Sequence, residues 1–234
     1  MADPYKGAVK LVKIYVCDIE SSSSENIQSL MSALSKEQKD KVTRYRFEQD
    51  RHRCIIGLAL TGMVFGMSPY ELKTSFGEHE KPFIENGGGI HYNLSHSGRY
   101  VVIASGDSSL GIDIEKTGRI KGNIAKRFFS PREYLEYVKY SAWDKDYFCR
   151  MWTLKESYIK YDGRGLFLPL NSFSILQGGS GFYMVDSPLK FRQFDIPGGY
   201  IMSVCSHEEI DCRWEPVSVD SLCELFAENC TKTA

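Results

Sequence analysis

Two acidic segments decide how this chain folds: GIDIE at residues 111–115 and WTLKESYIK at residues 152–160. In the first segment, isoleucines alternate with Asp113 and Glu115, which is the period of two that is typical of a half-buried strand. Both carboxylates therefore lie on one face of the strand, about 6–7 Å apart along it. Two like charges at this spacing require either a cation or exposure to water.

The second segment has the period of a helix. Trp152, Glu156 and Lys160 follow one another at intervals of four, so they share one helix face that could point towards the strand. Three carboxylates beside a lysine suit Mg²⁺, a cation that keeps some of its waters and is completed by substrate phosphates. Taken singly, the pieces also fit a solvated strand edge and a surface ion pair.

A third segment, YNLSHSG at residues 92–98, closes a strand with small and hydrogen-bonding residues. The Ser95 hydroxyl, the His96 imidazole and the backbone N–H groups of such a turn can contact a phosphate. The alternative is an ordinary hairpin turn. In combination, the three segments predict a magnesium-phosphate site.

Composition narrows the class of protein. The chain has 234 residues, of which 42% are apolar and 25% charged, typical of a globular protein with one large or two small domains. Seven irregularly spaced cysteines without a Cys-x-x-Cys pair fit reduced thiols. The start lacks a secretion-signal pattern, and no apolar run approaches the ~20 residues of a membrane span. For these reasons we expect a cytoplasmic protein without a membrane partner. The net charge of only -1 disfavours a nucleic-acid partner.

The order of the predicted elements favours an α+β fold with largely antiparallel sheets. A strand at 11–17 precedes a loop at 21–24 and one long helix from Ser35 towards Gly66. The remaining pattern predicts strands near 81–85, 90–94, 100–104, 110–115, 173–176, 181–185, 190–195 and 200–205. It predicts helices at 124–129, after 130, at 146–161 and at 219–227.

The chain resembles the 4'-phosphopantetheinyl transferases of the surfactin type, which activate peptide and polyketide synthases. Six segments carry the family's motifs in its order and spacing: DRHR at 50–53, NLSHSG at 93–98, GIDIEK at 111–116, RFFS at 127–130, WTLKESYIK at 152–160 and GRGL at 163–166. The resemblance implies a pseudo-dimer of two similar α+β halves, residues 1–110 and 111–234. Coenzyme A would lie in the cleft between them, and the second half would carry the metal site.

The resemblance also implies roles for individual residues. It makes Asp113, Glu115 and Glu156 the Mg²⁺ ligands and places Lys160 on the pyrophosphate. Ser95 and His96 would lie on the turn that contacts the phosphate. Lys41, Arg53 and Lys81 would lie around the 3'-phosphate and adenine end of coenzyme A. Three positions depart from the family pattern. Gln38 stands where lysine is common, Cys54 where threonine is found, and Glu80 where a glycine often precedes the Lys-Pro pair.

The implied reaction transfers 4'-phosphopantetheine from coenzyme A to a serine hydroxyl of an apo peptidyl or acyl carrier protein and releases adenosine 3',5'-bisphosphate. The carrier would belong to a nonribosomal peptide, polyketide or fatty acid synthase. Either Glu156 or a metal-bound water beside it would be the base. Two alternatives stay open: a Mg²⁺-dependent hydrolase of coenzyme A or a nucleotide, and a coenzyme A-binding protein without catalysis.

Carrier proteins of this kind combine acidic residues with an apolar docking helix, so basic and apolar surfaces are candidates for their binding. We expect docking near residues 117–130, which include Arg119, Lys121, Lys126, Arg127, Phe128 and Phe129; the alternative for the two phenylalanines is a place in the core. The region beyond Gly163, with Leu166, Phe167 and Leu168, is the second candidate.

Overall fold

The computed structural model describes residues 11–77, 79, 81–118, 124–179 and 181–231. The strands of this part of the chain are β1 (Leu11–Asp18), β2 (Thr74–Phe76), β3 (Pro82–Ile84), β4 (His91–Ser97), β5 (Tyr100–Gly106), β6 (Leu110–Lys116), β7 (Ile175–Gly178), β8 (Gly181–Met184), β9 (Lys190–Ile196), β10 (Tyr200–Ser206), β11 (Glu209–Ile210) and β12 (Glu215–Val217). Its helices are α1 (Ser24–Ser32), α2 (Lys36–Thr43), α3 (Glu48–Phe65), α4 (Ala125–Phe128), α5 (Pro131–Tyr140), α6 (Tyr147–Asp162) and α7 (Val219–Thr231). None of these helices is both long and apolar enough to span a bilayer.

The strands form two main sheets and one hairpin. One sheet has the order β11-β1-β5-β4, with β12 also on β1, and the other has the order β6-β10-β9-β8-β7; β2 and β3 form the hairpin. The two halves share one order of elements. In each, an opening strand (β1 or β6) is followed by helices and then by an antiparallel pair of strands (β4 and β5, or β9 and β10). The second strand of that pair also pairs with the opening strand, β5 with β1 and β10 with β6. The predicted α+β fold of two similar halves with mainly antiparallel sheets is therefore confirmed.

The end of the chain returns to the first half. Strands β11 and β12 pair with β1 in parallel, and α7 packs against α1 and α3. The division of the chain at residues 110 and 111 stays a prediction, because the segment from Glu209 onwards belongs by its contacts to the first sheet and its helices.

Three apolar clusters hold the layers together. One lies between the first sheet and the helices α1, α3 and α7, and another lies between the second sheet and α4, α5 and α6. The third is shared by both sheets and includes Ile14, Val102, Ile112, Ile114 and Val204, each at most 1% exposed. Burial of this kind contributes about 25 cal/mol per Å² of apolar surface, so the shared cluster ties the two halves to each other.

The helical region before Gly66 differs from its prediction. In place of a loop followed by one long helix, the structure has α1, α2 and α3. The serine run is a helix cap, because the Ser23 hydroxyl accepts a hydrogen bond from Asn26 N at 3.1 Å. The expected continuous helix is also broken between α2 and α3, where the Arg51 side chain donates to the carbonyls of Tyr45 and Arg46.

Helix α6 lies directly on strand β6. A Cβ atom at Gly111 would come within 2.0 Å of the Ser157 carbonyl oxygen and 2.4 Å of Tyr161 N, so only glycine permits this approach. The contact places the face of α6 that carries Glu156 beside the strand that carries Asp113.

A fully buried ion pair fixes α6 on its other side. Glu133 of α5 and Lys155 of α6 have no exposed side-chain surface, and Lys155 Nζ lies 2.6 Å from both carboxylate oxygens. Lys155 also donates to the Phe173 carbonyl, while Glu133 accepts from Ser130 N and Ile175 N. Every charge is hydrogen-bonded, as a buried pair requires. Burial nevertheless lowers the pKa of Lys155 to about 8, against the opposing effect of Glu133.

We predict that Lys155→Met lowers the free energy of unfolding by about 3–5 kcal/mol, because it leaves the Glu133 carboxylate buried without its partner. The double variant Lys155→Met with Glu133→Leu should recover much of this loss, since it removes both charges. Urea unfolding of the three proteins tests this. Equal stability of wild type and Lys155→Met would contradict it.

Candidate active site

The edge of the second sheet meets the first sheet through side chains of β4. Backbone N–H groups of alternate residues on a strand point to the same side, and those of residues 112, 114 and 116 in β6 point towards β4. Alternate β4 side chains accept them: Asn93 from Ile112 (2.9 Å), Ser95 from Ile114 (3.4 Å) and Ser97 from Lys116 (3.2 Å). We call Asn93, Ser95 and Ser97 the side-chain ladder.

Two members of the side-chain ladder also hold the carboxylates of β6. Ser95 Oγ donates to Asp113 Oδ1, and Ser97 Oγ donates to Glu115 Oε2, each at 2.8 Å. Each hydroxyl thus accepts from one β6 residue and donates to the residue before it. The first half of the chain thereby orients acidic side chains that belong to the second half.

Lys160 approaches Asp113 from α6. Its Nζ lies 2.7 Å from Asp113 Oδ1, 2.9 Å from Ser95 Oγ and 3.1 Å from the Ile112 carbonyl oxygen. These three acceptors use the three N–H bonds of an ammonium group. Lys160 therefore orients Asp113 in this arrangement, and contact with a phosphate oxygen would need one of these bonds to exchange.

One cavity brings the acidic segments together. It has a volume of about 430 Å³ and is lined by Leu94, Ser95, His96, Asp113, Glu115, Trp152, Glu156 and Lys160. The common face of α6 thus meets the acidic face of β6, as the two periods predict. Trp152 forms part of the wall and packs edge-on against Phe128.

The electrostatics of the cavity centre on Glu156. Burial is the main cause that raises the pKa of this carboxyl from 4.5 to about 7, and the negative charges of Asp113 and Glu115 add to it while Lys160 opposes it. Three acidic groups in one enclosed place thus disfavour full ionisation, and a bound cation would relieve this repulsion.

The chemistry of these residues fits a hard cation. They offer carboxylate oxygens, which Mg²⁺ prefers, and Asp113 Oδ2 is buried without a hydrogen-bond partner. Within the described residues, no three His, Cys, Asp or Glu side chains are arranged to hold a metal ion as they stand. The assignment of Asp113, Glu115 and Glu156 as Mg²⁺ ligands therefore stays a prediction.

The turn residues differ in what they can offer a phosphate. His96 lines the cavity, and partial desolvation together with the nearby charges of Arg53 and Lys160 lowers its pKa, which favours the neutral imidazole. Ser95 is buried and its hydroxyl is already engaged by Asp113 and Lys160. Ser95 therefore acts on Asp113 here, and its predicted phosphate contact is untested.

The residues expected at the coenzyme A nucleotide are spread over the first half. Lys41 is exposed near the end of α2. Arg53 is 13% exposed, pairs with Asp50 and donates to the Gly98 carbonyl at 2.6 Å. Its Nε is buried without a partner. The assignment of Lys41 and Arg53 to coenzyme A stays a prediction.

Lys81 connects the β2–β3 hairpin to the second half. Its Nζ donates to Ser109 Oγ at 2.8 Å, to the Leu110 carbonyl at 3.3 Å and to the Tyr161 carbonyl at 2.9 Å. Desolvation lowers its pKa to about 8. Lys81 thus caps the end of α6, and any contact of its ammonium group with coenzyme A would compete with these three acceptors.

One of the three departures from the family pattern, Gln38, has a local explanation. Gln38 completes the capping box of α2 with Ser35 and donates to the Pro69 carbonyl at 2.8 Å, so it stabilises the fold. Cys54 is half-buried on α3, and burial raises the pKa of its thiol. Glu80 lies outside the described residues.

The expected carrier-docking surfaces are only partly described. Lys126 and Arg127 are exposed, whereas Arg119 and Lys121 lie outside the described residues. Phe129 is only 3% exposed and belongs to the core, so it cannot form part of a docking surface. In the second candidate region Phe167 is 82% exposed and Leu168 is buried; the Leu166 side chain lies outside the description.

The sequence pattern did not reveal two residues that shape this site, Asn93 and Ser97. Their signal was present as the alternation Asn93-x-Ser95-x-Ser97, which places three hydrogen-bonding side chains on one strand face. It could be interpreted only with the knowledge that β4 lies beside β6.

Two family models match most of the chain. Residues 109–205 match the model of the 4'-phosphopantetheinyl transferase superfamily, and residues 21–108 match the model described as 4'-phosphopantetheinyl transferase, N-terminal. The chain belongs to the 4'-phosphopantetheinyl transferase family.

Similarity to individual members extends over most of the chain. It is 37% identical over 211 residues to the 4'-phosphopantetheinyl transferase Sfp of Bacillus subtilis (strain 168), covering 85% of this chain and 92% of that protein. It is 32% identical over 212 residues to the 4'-phosphopantetheinyl transferase gsp of Aneurinibacillus migulanus, covering 86% of this chain and 88% of that protein.

The raised pKa of Glu156 predicts a pH-dependent loss of stability without metal. A carboxyl whose pKa is higher in the folded state favours folding below its unfolded pKa, and this contribution is lost as the pH rises from about 4.5 to about 7. In EDTA, Glu156→Gln should therefore gain about 2–3 kcal/mol relative to wild type between pH 4.5 and 8. Urea unfolding across this range measures it, and parallel pH profiles of the two proteins would contradict it.

Proposed function

We propose that this transferase moves the 4'-phosphopantetheine group of coenzyme A to a serine hydroxyl of an apo peptidyl or acyl carrier protein, in the cytoplasm and with Mg²⁺. The observation that supports this most directly is the single cavity that joins Asp113 and Glu115 of β6 to Glu156 and Lys160 of α6. Relatives named as 4'-phosphopantetheinyl transferases support the same activity.

The reaction forms a bond between the carrier serine oxygen and the β-phosphorus of coenzyme A. It breaks the bond from that phosphorus to the bridging oxygen, and adenosine 3',5'-bisphosphate leaves with the electron pair. The serine proton must be accepted by a base within the cavity, and either Glu156 or a water beside it is our candidate. Burial raises the pKa of Glu156 to about 7 when no cation is bound, and a cation held by this carboxylate would lower its pKa and its basicity.

The other side chains prepare the cavity for phosphate groups. Ser95 and Lys160 hold Asp113 in one orientation, and Ser97 holds Glu115, so the acidic groups are arranged before a ligand enters. When bound by Asp113, Glu115 and Glu156, Mg²⁺ would supply positive charge that stabilises the pyrophosphate oxygens. His96, at the cavity wall, can donate a hydrogen bond to a phosphate through a ring N–H.

Each of the variants Asp113→Ala, Glu115→Ala and Glu156→Ala should lower kcat of carrier modification by at least about a hundredfold. In double variants the losses in kcat should not be additive, because the three residues act on one cation. The assay is intact-mass detection of the carrier with coenzyme A and Mg²⁺, and urea unfolding of each variant serves as the folding control. Near-normal transfer by Glu156→Ala would exclude Glu156 as ligand or base. Release of adenosine 3',5'-bisphosphate at the same rate without carrier would instead indicate a hydrolase.

Alanine variants of His96 and Lys160 should affect different kinetic constants, KM for coenzyme A in the first and kcat in the second. The His96→Ala variant loses a contact to a part of coenzyme A that keeps its charge during reaction, so KM should rise about tenfold with kcat changed less. Lys160→Ala loses the orientation of Asp113, so kcat should fall more than KM rises. A change confined to KM in Lys160→Ala would contradict this role.

Carrier docking is proposed near residues 117–130, where Lys126 and Arg127 of α4 are exposed. The double variant Lys121→Glu with Lys126→Glu should lower kcat/KM for the carrier about tenfold at low salt, chiefly through slower association, and leave coenzyme A affinity intact. Lys13→Glu, which reverses one exposed charge on β1, is the matched control. Unchanged carrier kinetics in the double variant would move the docking site elsewhere, and the exposed Phe167 is then the next candidate.

A further inference from the structure

We infer that Ser97 is a positioning residue for Glu115, and thus for cation binding, through the side-chain ladder. This inference rests on the proposed role of Glu115 as a metal ligand. It concerns a residue that lies on the opposite half of the chain from the carboxylate it orients.

The first argument is that Ser97 repeats the arrangement of Ser95. Ser95 Oγ accepts from Ile114 N and donates to Asp113 Oδ1. Ser97 Oγ accepts from Lys116 N at 3.2 Å and donates to Glu115 Oε2 at 2.8 Å. The same chemistry therefore occurs twice, two residues apart, against two successive acidic residues of one strand.

The second argument is burial. Ser97 is 3% exposed, so its hydroxyl has exchanged water for these two partners. A buried hydroxyl that both accepts and donates has a defined rotamer, and its proton is committed to the carboxylate. Glu115, which is half-buried near the end of β6, thereby accepts a hydrogen bond from a buried hydroxyl of the other half of the chain.

The third argument comes from Asn93, the remaining member of the side-chain ladder. Asn93 Oδ1 accepts from Ile112 N at 2.9 Å, which is the same link between β4 and β6, but no carboxylate contact of Asn93 accompanies it among the described residues. The chain therefore contains its own control. One member joins the strands only, while two members join the strands and orient an acidic group.

The test compares Ser97→Ala, Ser97→Thr and Asn93→Ala by Mn²⁺ binding, followed by electron paramagnetic resonance with and without saturating coenzyme A. Ser97→Ala should weaken Mn²⁺ affinity about tenfold, within the range for groups that orient metal ligands. The Ser97→Thr variant keeps the hydroxyl and should restore affinity to within about twofold of wild type. Asn93→Ala should lower stability in urea but shift Mn²⁺ affinity less than about twofold.

Steady-state kinetics give a second measurement. For Ser97→Ala the Mg²⁺ concentration at half-maximal transfer should rise by the same factor as the Mn²⁺ dissociation constant, with KM for coenzyme A changed less. Wild-type Mn²⁺ affinity in Ser97→Ala would overturn the inference. Equal weakening by Asn93→Ala would overturn it too, because a general loosening between the strands would then explain the effect.

Glu115→Ala separates this inference from the proposed function. If Glu115→Ala binds Mn²⁺ like wild type, the assignment of Glu115 as a ligand fails, and the role of Ser97 fails with it. If Glu115→Ala loses Mn²⁺ but Ser97→Ala does not, only the positioning role fails and the proposed function stands.

Discussion

The structure depends on the hydrogen bonds that the edge strand of the second sheet, β6, donates to side chains of β4 in the first sheet. Strand β6 would expose a row of N–H groups on the side that β10 does not pair, and unpaired buried N–H groups are costly. Asn93, Ser95 and Ser97 accept them, so the two halves meet without forming one continuous sheet. Because serine hydroxyls can donate as well as accept, the same contacts also orient acidic side chains.

A second constraint acts on helix α6, which must present Glu156 and Lys160 to β6. Gly111 allows the helix to lie against the strand, and the buried Glu133–Lys155 pair holds its opposite side. Since Lys155 and Glu156 are adjacent, one residue faces the interior of the second half while the next faces the cavity. The site is therefore assembled from a rigidly held helix and a strand whose acidic groups are oriented from outside.

Much of this could be predicted from the sequence. The period of two at residues 111–115 and the period of four at residues 152–160 placed the acidic groups correctly, because periodicity reports directly on shared faces. The prediction of a loop at 21–24 missed the start of helix α1, because serine is common both in loops and in helix caps. The side-chain ladder and the three acceptors of Lys81 could not be predicted from the sequence, because they depend on which strands and helix ends become neighbours in the fold.

The return of the chain after Glu209 has a consequence for how the two halves can be handled. Because β11 and β12 pair with β1, and α7 packs on α1 and α3, strand β1 lies between β5 and a segment about 200 residues further along the chain. The repeated order of elements in the two halves is therefore closed by a segment from the second half that completes the first. Neither half is a self-contained module, so splitting the polypeptide between β5 and β6 would yield fragments that need each other to complete the first sheet.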